Sequence, residues 1–366
     1  MENKKIVVGI LFGGKSAEHE VSLQSAKNVI DALDKEKYEP ILIGIDKTGH
    51  WLLNDASAFL LDAGDPHSIR LNTASSPVAL IPQSHGVISD LADGSSERSI
   101  DVVFPILHGP CGEDGTVQGL LELADVPFVG AGVLGSAVGM DKDVMKRLLR
   151  DAGILIARFV VLKVGEAVPS YASVSQALGK TLFVKPANMG SSVGVNKATD
   201  ELGYLSAVEQ AFLFDKKIII EEAITGREIE CAVLGNENPE ASIPGEIIAH
   251  HDFYSYDAKY IDEDGAALEI PAKLDEATMK RVQALAIEVF KTLSCEGMGR
   301  VDMFLRDDGS LVVNEINTIP GFTKISMYPK LWEASGIPYT ELIDRLIQLA
   351  LARYEKKSRL RTVYRS

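Results

Sequence analysis

Two carboxylates, an amide and a cation lie close together in the C-terminal third of the chain. Asp302 lies on one predicted strand, and Glu315 and Asn317 lie two residues apart on the next, which places both on one face. The turn residues at 307–310 predict a hairpin that brings Asp302 to the same side. Carboxylate and amide oxygens are hard ligands that suit Mg²⁺ held jointly with phosphate groups. Arg300, two residues from Asp302, places a cation where negative charge would develop on a transferring group.

For any single residue of this set, a solvated hairpin with paired surface charges is an equal alternative. The two predicted strands are otherwise apolar, as Val301, Met303 and Val313 show. Charged side chains on strands this apolar usually mark a functional site. Taken as a set, the four polar residues therefore favour a site for a metal ion and phosphate.

A loop of small residues at 187–194 is a second candidate, because it directly follows a predicted strand that ends in Lys185 and Pro186. Free backbone N–H groups in such a loop can bind phosphate oxygens, and Lys185 supplies a point charge. The residue order of a Walker A motif is absent. On its own, the loop is more often a plain turn, and so is the glycine-rich turn at 13–16.

Three carboxylates, Glu221, Glu222 and Glu228, flank a predicted turn at 225–226. Carboxylates at the mouth of a nucleotide pocket could hold an adenine amino group or ribose hydroxyls. Without further context, a charged turn is the better interpretation of these residues.

The elements that must position these residues begin with an N-terminal α/β unit. Its apolar runs lack alternation, which is typical of parallel strands covered on both faces. The predicted strands are 6–12, 40–45, 102–107 and 126–129, with a helix at 22–33. This pattern predicts a doubly wound parallel sheet. Residues 62–100 are rich in Ser, Pro, Gly, Asp and His, and we interpret them as a long surface excursion.

The rest of the chain predicts two further units of mixed sheet. The first contains a helix at 141–152, with Val144, Leu148 and Leu149 on its apolar face, and a strand at 182–184. Its other elements are a helix at 205–214 and two strands at 218–224 and 228–234. The second unit contains a helix at 276–293, strands at 300–305 and 311–315, and a closing helix with Thr340 as its N-cap.

Composition limits the class of protein and its partners. With 366 residues, the chain fits two or three domains of about 150 residues each. A formal net charge of −15 argues against nucleic acid and anionic membranes as partners. The three cysteines lie far apart, which favours neither a disulfide framework nor a zinc site and suits a reduced, cytoplasmic setting. The run at 6–12 is too short for a signal peptide, and no run approaches the ~20 apolar residues of a membrane span.

A series of motifs runs in order along nearly the whole chain. They are GGKSAEHEVS at 13–22, HG at 108–109 with GEDG at 112–115, MDK at 140–142, KP at 185–186 with GSSVG at 190–194, GRVD at 299–302, and NEINT at 314–318 with PG at 320–321. Together they resemble the ATP-grasp ligases and, among these, closely the D-alanine–D-alanine ligases. The resemblance implies an α/β and α+β ATP-grasp fold. Its domains would be a doubly wound N-terminal domain (1–140), a small central domain (141–235) and a C-terminal domain (236–366) that carries a lid loop and the metal site.

The resemblance also implies a role for each matched residue. Glu18 would receive the ammonium group of the first D-alanine, with Ser191 and Tyr260 as hydrogen-bonding partners. Arg300 and the Gly321 backbone would stabilise the acyl phosphate and the later oxyanion. The remaining roles follow in the same way: Ser326 and Met327 hold the carboxylate of the second D-alanine near His108; Lys142, Lys185 and Lys259 contact the ATP phosphates; Glu221, Ile224, Glu228 and Asn314 complete the nucleotide site; Asp302, Glu315 and Asn317 bind Mg²⁺ or Mn²⁺, with two ions expected. The catalytic set is Glu18, Ser191, Tyr260, Arg300 and Ser326.

The implied reaction joins two D-alanines through a D-alanyl phosphate, for peptidoglycan precursor synthesis, and we expect a cytoplasmic homodimer. The second amine must lose a proton before it attacks, and either His108 or a substrate oxygen could accept that proton. Residues 250–265, with Gly265 as a hinge, would form a lid that protects the acyl phosphate from water.

Three rival functions follow from the same residues. A relative could join D-lactate in place of the second D-alanine, although residues 253–260 keep the pattern of dipeptide-forming relatives. A different ATP-grasp enzyme, such as another amino-acid ligase or a carboxylase, would share the nucleotide site. A non-catalytic nucleotide-binding module would have no need of the cation at Arg300.

Overall fold

The computed structural model describes residues 4–62, 68–92, 94, 97–249, 266–361 and 364. Its helices are α1 (His19–Ala32), α2 (Thr116–Leu123), α3 (Val133–Met140), α4 (Lys142–Asp151), α5 (Tyr171–Leu178), α6 (Glu201–Phe212), α7 (Glu276–Thr292), α8 (Met327–Ala334) and α9 (Tyr339–Ser358).

The strands begin with β1 (Ile6–Gly13), β2 (Tyr38–Ile45), β3 (Trp51–Asn54), β4 (Leu60–Leu61), β5 (Arg70–Leu71), β6 (Ser76–Leu80), β7 (Val87–Asp90), β8 (Glu97–Ser99) and β9 (Val102–Ile106). They continue with β10 (Phe159–Lys163), β11 (Leu182–Pro186), β12 (Asn196–Ala198), β13 (Lys217–Glu222), β14 (Arg227–Gly235), β15 (Glu240–Ala241), β16 (Gly245–Ala249), β17 (Ala266–Glu269), β18 (Gly297–Leu305) and β19 (Leu311–Asn317).

The N-terminal sheet has the strand order β8-β7-β6-β3-β2-β1-β9. At its centre, β1 pairs in parallel with both β2 and β9, as the continuous apolar runs predict. Both faces of β1 are covered: Val8 and Ile10 pack in one core with helices α1 and α9, and Leu11 packs in another with α2. The predicted doubly wound parallel sheet is therefore confirmed for β2, β1 and β9, whereas β3 and the strands beyond it pair antiparallel.

Two interpretations of this region were wrong. The segment 126–129 is not a strand, because only Phe128 forms a bridge, to Val103. Part of the supposed surface excursion at 62–100 continues the sheet, since β6, β7 and β8 pair antiparallel beyond β3. These strands are short and bury alternate residues such as Val78 and Leu80. Because turn residues dominate the segment, its sequence does not show a clear alternation of apolar and polar residues.

The two remaining large sheets are antiparallel and face the site. The smaller one has the order β10-β13-β11-β12 and packs against helices α5 and α6. The larger one follows the path β17-β16-β14-β18-β19, with β15 paired to β14, and packs against α7 and α8. The predicted hairpin at its edge is confirmed as β18 and β19.

The strand β14 lies in a different sheet from the one that its sequence neighbours indicated. It was interpreted as part of the small sheet with β13, but it pairs with β16 and β18. Its complete burial from Glu230 to Gly235 suits a central strand of the larger sheet. The domain boundaries at 140 and 235 remain predictions. The pairing of β14 shows only that residues 227–235 belong to the larger sheet.

Helix α4 buries only part of the face that was predicted, since Leu149 is buried and Val144 is half-buried. Leu148 is 39% exposed, whereas Lys142, Asp143 and Lys146 are buried together with Met145 and Leu149. The helix buries charged residues because ion-pair partners face them from β13 and β19. Helix α9 begins at Tyr339 with Pro338 as its N-cap, not with Thr340. None of the helices within the described ranges is long and apolar enough to cross a membrane.

Candidate active site

The predicted metal hairpin brings its polar side chains together. Asp302 on β18 lies opposite Glu315 on β19, and Arg300 lies opposite Asn317. The Asn317 amide nitrogen donates a hydrogen bond to Asp302 Oδ2 over 2.9 Å. In the described part of the chain, no three His, Cys, Asp or Glu side chains cluster as a metal site. The hairpin instead offers two carboxylates and one amide, a donor set that suits a hard cation sharing its coordination with phosphate oxygens and water.

The Arg300 guanidinium is fixed by two acids. Its Nε and Nη2 atoms donate to the two oxygens of Asp302 over 2.8 and 2.7 Å. Its Nε also lies 2.9 Å from Oε2 of Glu230, which is opposite Asp302 on β14. The sequence analysis missed Glu230. Its spacing of two residues from Glu228 on an otherwise apolar strand was the signal that could have found it.

A cavity of about 260 Å³ lies between the smaller and the larger antiparallel sheets. Asp302 and Glu315 line this cavity. So do nearly all the residues predicted to bind the nucleotide, namely Lys142, Lys185, Glu221, Ile224, Glu228 and Asn314. Met303, Val313 and Ile229 supply an apolar wall. A mixed lining of this kind suits the flat base and charged phosphates of a nucleotide.

A cluster of ion pairs lies at the wall of this cavity. Lys185 Nζ lies 2.6 Å from Glu221 Oε2, and Lys146 Nζ lies 2.8 Å from Glu221 Oε1. Lys185 also donates to Asn314 Oδ1 over 3.4 Å. Burial alone would raise the pKa of Glu221, but the two lysines hold it below its usual range. Burial would lower the pKa of Lys185, but Glu221 and Glu315 raise it, so Lys185 keeps its positive charge.

Lys142 connects the small-residue loop to the metal hairpin. Its Nζ donates to the Met189 carbonyl over 2.8 Å and lies 3.3 Å from Glu315 Oε2. In the same loop, Ser191 and Ser192 have φ values of 50° and 61°, the left-handed region that residues other than glycine rarely adopt. Strain of this kind concentrates at functional sites, because the surrounding structure must hold it in place.

A second cavity, of about 90 Å³, adjoins the first and contains the predicted amino-acid sites. The predicted substrate residues that line it are Glu18, His108, Ser191, Arg300, Gly321, Ser326 and Met327. Glu113, Glu230 and Asn317 line it as well. The Ser191 hydroxyl donates a hydrogen bond to Glu18 Oε1. Space beside Glu18 is tight, since a Cβ atom on Gly190 would lie 3.1 Å from Glu18 Oε2.

The Ser326 hydroxyl is held at the start of helix α8. The Thr323 backbone N–H donates to Ser326 Oγ over 3.0 Å, and the two hydroxyl groups are 2.7 Å apart. Gly321 must lack a side chain, because a Cβ atom there would lie 2.7 Å from Ser326 Oγ. Ser326 is the N-cap residue of α8, so its hydroxyl and the Met327 N–H lie where a helix attracts a carboxylate.

His108 and Glu113 are buried titratable groups of the second cavity. The His108 Nδ1 atom is 3.1 Å from the Ile319 carbonyl, which can only accept, so Nδ1 carries the proton. The buried Nε2 atom then keeps its lone pair and has no hydrogen-bond partner among the described residues. Burial lowers the pKa of His108 despite the nearby charge of Glu18. Burial, with a further contribution from Glu18, raises the pKa of Glu113 to about 8. The sequence analysis assigned Glu113 no role.

Two of the predicted site residues, Lys259 and Tyr260, lie outside the described residues together with the rest of the predicted lid, 250–265. Every other predicted site residue lines one of the two adjoining cavities. A larger cavity of about 420 Å³ lies beside helix α9, and no predicted site residue lines it.

Two antiparallel sheets around a lysine-containing cavity beside an acidic hairpin are typical of the ATP-grasp fold. Family models described as "D-ala D-ala ligase N-terminus" and "D-ala D-ala ligase C-terminus" match residues 7–131 and 148–348. The chain therefore belongs to the D-alanine–D-alanine ligase family and is a ligase. Membership of this family implies the use of ATP and a divalent metal ion.

Individual relatives agree with this assignment. The chain is 54% identical to a D-alanine–D-alanine ligase from Oceanobacillus iheyensis, over 97% of this chain and 98% of the relative. The solved D-alanine–D-alanine ligase from Coxiella burnetii has a TM-score of 0.84 and 39% identity, with 97% of each chain covered. The VanG D-Ala:D-Ser ligase from Enterococcus faecalis has a TM-score of 0.81 and 35% identity, with 95% of this chain and 100% of that chain covered.

Proposed function

We propose that the chain joins two D-alanines to D-alanyl-D-alanine, converting ATP to ADP and phosphate through a D-alanyl phosphate. The observation that carries this proposal is that the nucleotide cavity and the amino-acid cavity adjoin. They share the wall residues Ser191, Glu230 and Glu315. A carboxylate held in one cavity can therefore meet the terminal phosphate of a nucleotide held in the other, which is the positioning that phosphoryl transfer requires.

In the first step, Glu18 holds the ammonium group of the first D-alanine, and Ser191 orients the Glu18 carboxylate through its hydrogen bond. Lys142 and Lys185 hold the phosphate chain, and Arg300 faces the carboxylate that becomes phosphorylated. Divalent cations, either Mg²⁺ or Mn²⁺, would neutralise phosphate charge beside Asp302, Glu315 and Asn317. We propose that two such ions bind. The donor chemistry of these three side chains fits such a cation.

In the second step, the Ser326 hydroxyl and the Met327 N–H hold the carboxylate of the second D-alanine, so that its amine points towards the acyl phosphate. We assign the proton acceptor to His108, because its neutral Nε2 lone pair lies buried in the same cavity. Arg300 and the Gly321 backbone stabilise the oxyanion of the tetrahedral intermediate until phosphate leaves.

Further properties belong to the same proposal. We place the enzyme in the cytoplasm, where ATP is available, and we expect a homodimer. The product would serve peptidoglycan precursor synthesis. The domains would divide at residues 140 and 235, and residues 250–265 would form a lid that protects the acyl phosphate from water.

The proposal is tested by incubating the purified chain with ATP, Mg²⁺ and one amino acid at a time, and by measuring released phosphate and dipeptide. We expect phosphate and D-alanyl-D-alanine with D-alanine alone. If D-serine or D-lactate must be added as the second substrate, the second-site assignment is wrong. If no compound tested supports phosphate release although ATP binds, the chain is a nucleotide-binding module and the proposal fails.

A further inference from the structure

Lys146 has no assigned role, yet it is the most completely enclosed charged side chain near the nucleotide cavity. Its side chain is 0% exposed, and its Nζ lies 2.8 Å from Glu221 Oε1. Lys146 itself does not line the cavity, whereas Glu221 and Lys185 do. It therefore lies behind the wall of the nucleotide cavity and does not contact the cavity itself.

The carboxylate of Glu221 is shared between two lysines. One oxygen faces Lys146 and the other faces Lys185 at 2.6 Å. Glu315, which pairs with Lys142, also acts electrostatically on Lys185, so the cluster of neighbouring charges contains three positive and two negative side chains. The cluster therefore carries one net positive charge, and without Lys146 its charges would cancel.

A buried positive charge of this kind matters for a polyphosphate and little for a nucleoside. Coulomb interactions across a partly desolvated wall are several times stronger than in water. Lys185 and Glu221 alone would form a neutral pair, which attracts phosphate oxygens weakly. Burial lowers the pKa of Lys146, and the nearby carboxylate of Glu221 opposes this effect.

We propose that Lys146 is a positioning residue of the nucleotide site. Because Lys146 shares the Glu221 carboxylate with Lys185, the negative charge of Glu221 does not fully compensate Lys185, whose positive charge then attracts the nucleotide phosphates. The inference rests on the proposed binding of ATP in the cavity of about 260 Å³ between the two antiparallel sheets. It assigns to Lys146 a part in phosphate affinity without contact with the nucleotide.

The test uses two variants that remove the charge, Lys146→Gln and Lys146→Met. Gln keeps a hydrogen-bond donor for Glu221, and Met preserves the volume of the aliphatic chain. The matched control is Lys217→Met, which also removes one positive charge. Lys217 pairs with Asp141 at 2.5 Å and with Asp143 at 3.5 Å beside the start of α4, but it does not line the cavity. Binding of ATP, ADP and adenosine to each protein is measured by calorimetry.

We expect both Lys146 variants to bind ATP and ADP about tenfold more weakly than the wild type, with adenosine affinity changed less than about twofold. Lys146→Arg, which keeps the charge, should recover most of the loss. Lys217→Met should bind all three compounds like the wild type. Adenosine binding also shows that each variant is folded.

Three results would overturn the inference. These are wild-type ATP affinity in a folded Lys146→Gln variant, an equal loss for ATP and adenosine, and the same loss in Lys217→Met. Failure of the wild type to bind ATP is a separate result, because it would overturn the proposed function itself.

Discussion

Replacement of Arg300 by Ala separates the catalytic from the structural part of the site. In the proposed mechanism, Arg300 faces negative charge twice, on the acyl phosphate and on the tetrahedral oxyanion. Removal of one preorganised donor from such a site costs about 10²–10³ in kcat, roughly 3–4 kcal/mol. We therefore expect Arg300→Ala to lower kcat by that factor while the KM for ATP changes little.

The same change also costs stability, because the guanidinium is largely buried between two acids. The side chain is 17% exposed, and it forms three short contacts with Asp302 and Glu230. Loss of the cation from a pair of largely buried carboxylates costs about 2–3 kcal/mol. Thermal unfolding must therefore be measured beside kcat, at a temperature where the variant remains folded.

A matched control is available in the same sheet. Arg227 on β14 forms a two-point contact with Glu246 at 2.8 and 2.5 Å, outside both cavities. Arg227→Ala should lower the melting temperature without lowering kcat. Phosphate release at saturating ATP and D-alanine gives kcat, and titration of each substrate gives its KM. An unchanged kcat in Arg300→Ala with a raised KM, or an equal fall of kcat in both variants, would refute the role of Arg300.

Ser191→Ala removes the hydrogen bond to Glu18 and should raise the KM for the first D-alanine about tenfold; an effect on the KM for ATP alone would count against this role. Asp302→Asn should raise the Mg²⁺ or Mn²⁺ concentration for half-maximal activity at least ~tenfold, as measured after chelation and readdition of the ion, and an unchanged requirement would remove Asp302 from the metal site. Burial raises the folded-state pKa of Glu113 to about 8, above its ordinary value of 4.5, so the folded protein favours the protonated form. The wild type should therefore lose stability as the pH rises from 5 to 8. Glu113→Gln should remove that loss, so its melting temperature relative to the wild type should rise with pH, and a constant difference would contradict the assignment.

Local patterns were enough to predict the metal hairpin. Asp302, Glu315 and Asn317 lie on two adjacent strands joined by a short turn, so the two-residue period of a strand fixes which side chains share a face. The parallel centre of the N-terminal sheet was equally accessible, since its strands are continuous apolar runs. The residues proposed to bind the nucleotide and D-alanine came from ordered motifs, which indicate residue roles without showing contacts.

Long-range pairing could not be predicted in the same way. Nothing near β14 in the sequence indicates that it joins β18 in place of β13. Lys146 lies on a helix whose sequence suggested Leu148 on the buried face, and its partner Glu221 is on a distant strand. Glu113 and Glu230 become part of the site only because the fold places Glu18 near the first and Arg300 beside the second. Partners contributed by distant segments leave no local signal, so Lys146, Glu113 and Glu230 were missed, whereas the buried charges that lie in ordered motifs, such as Lys142 and Lys185, were predicted.

The central claim is that the carboxylate of the first D-alanine attacks the terminal phosphate of ATP. It is tested most directly with D-alanine labelled with ¹⁸O in both carboxylate oxygens, incubated with ATP and Mg²⁺, followed by mass spectrometry of the released phosphate. Formation of an acyl phosphate predicts one ¹⁸O atom in each phosphate, because the oxygen bridging carbon and phosphorus leaves with the phosphate. Unlabelled phosphate accompanied by D-alanyl-D-alanine would contradict the account.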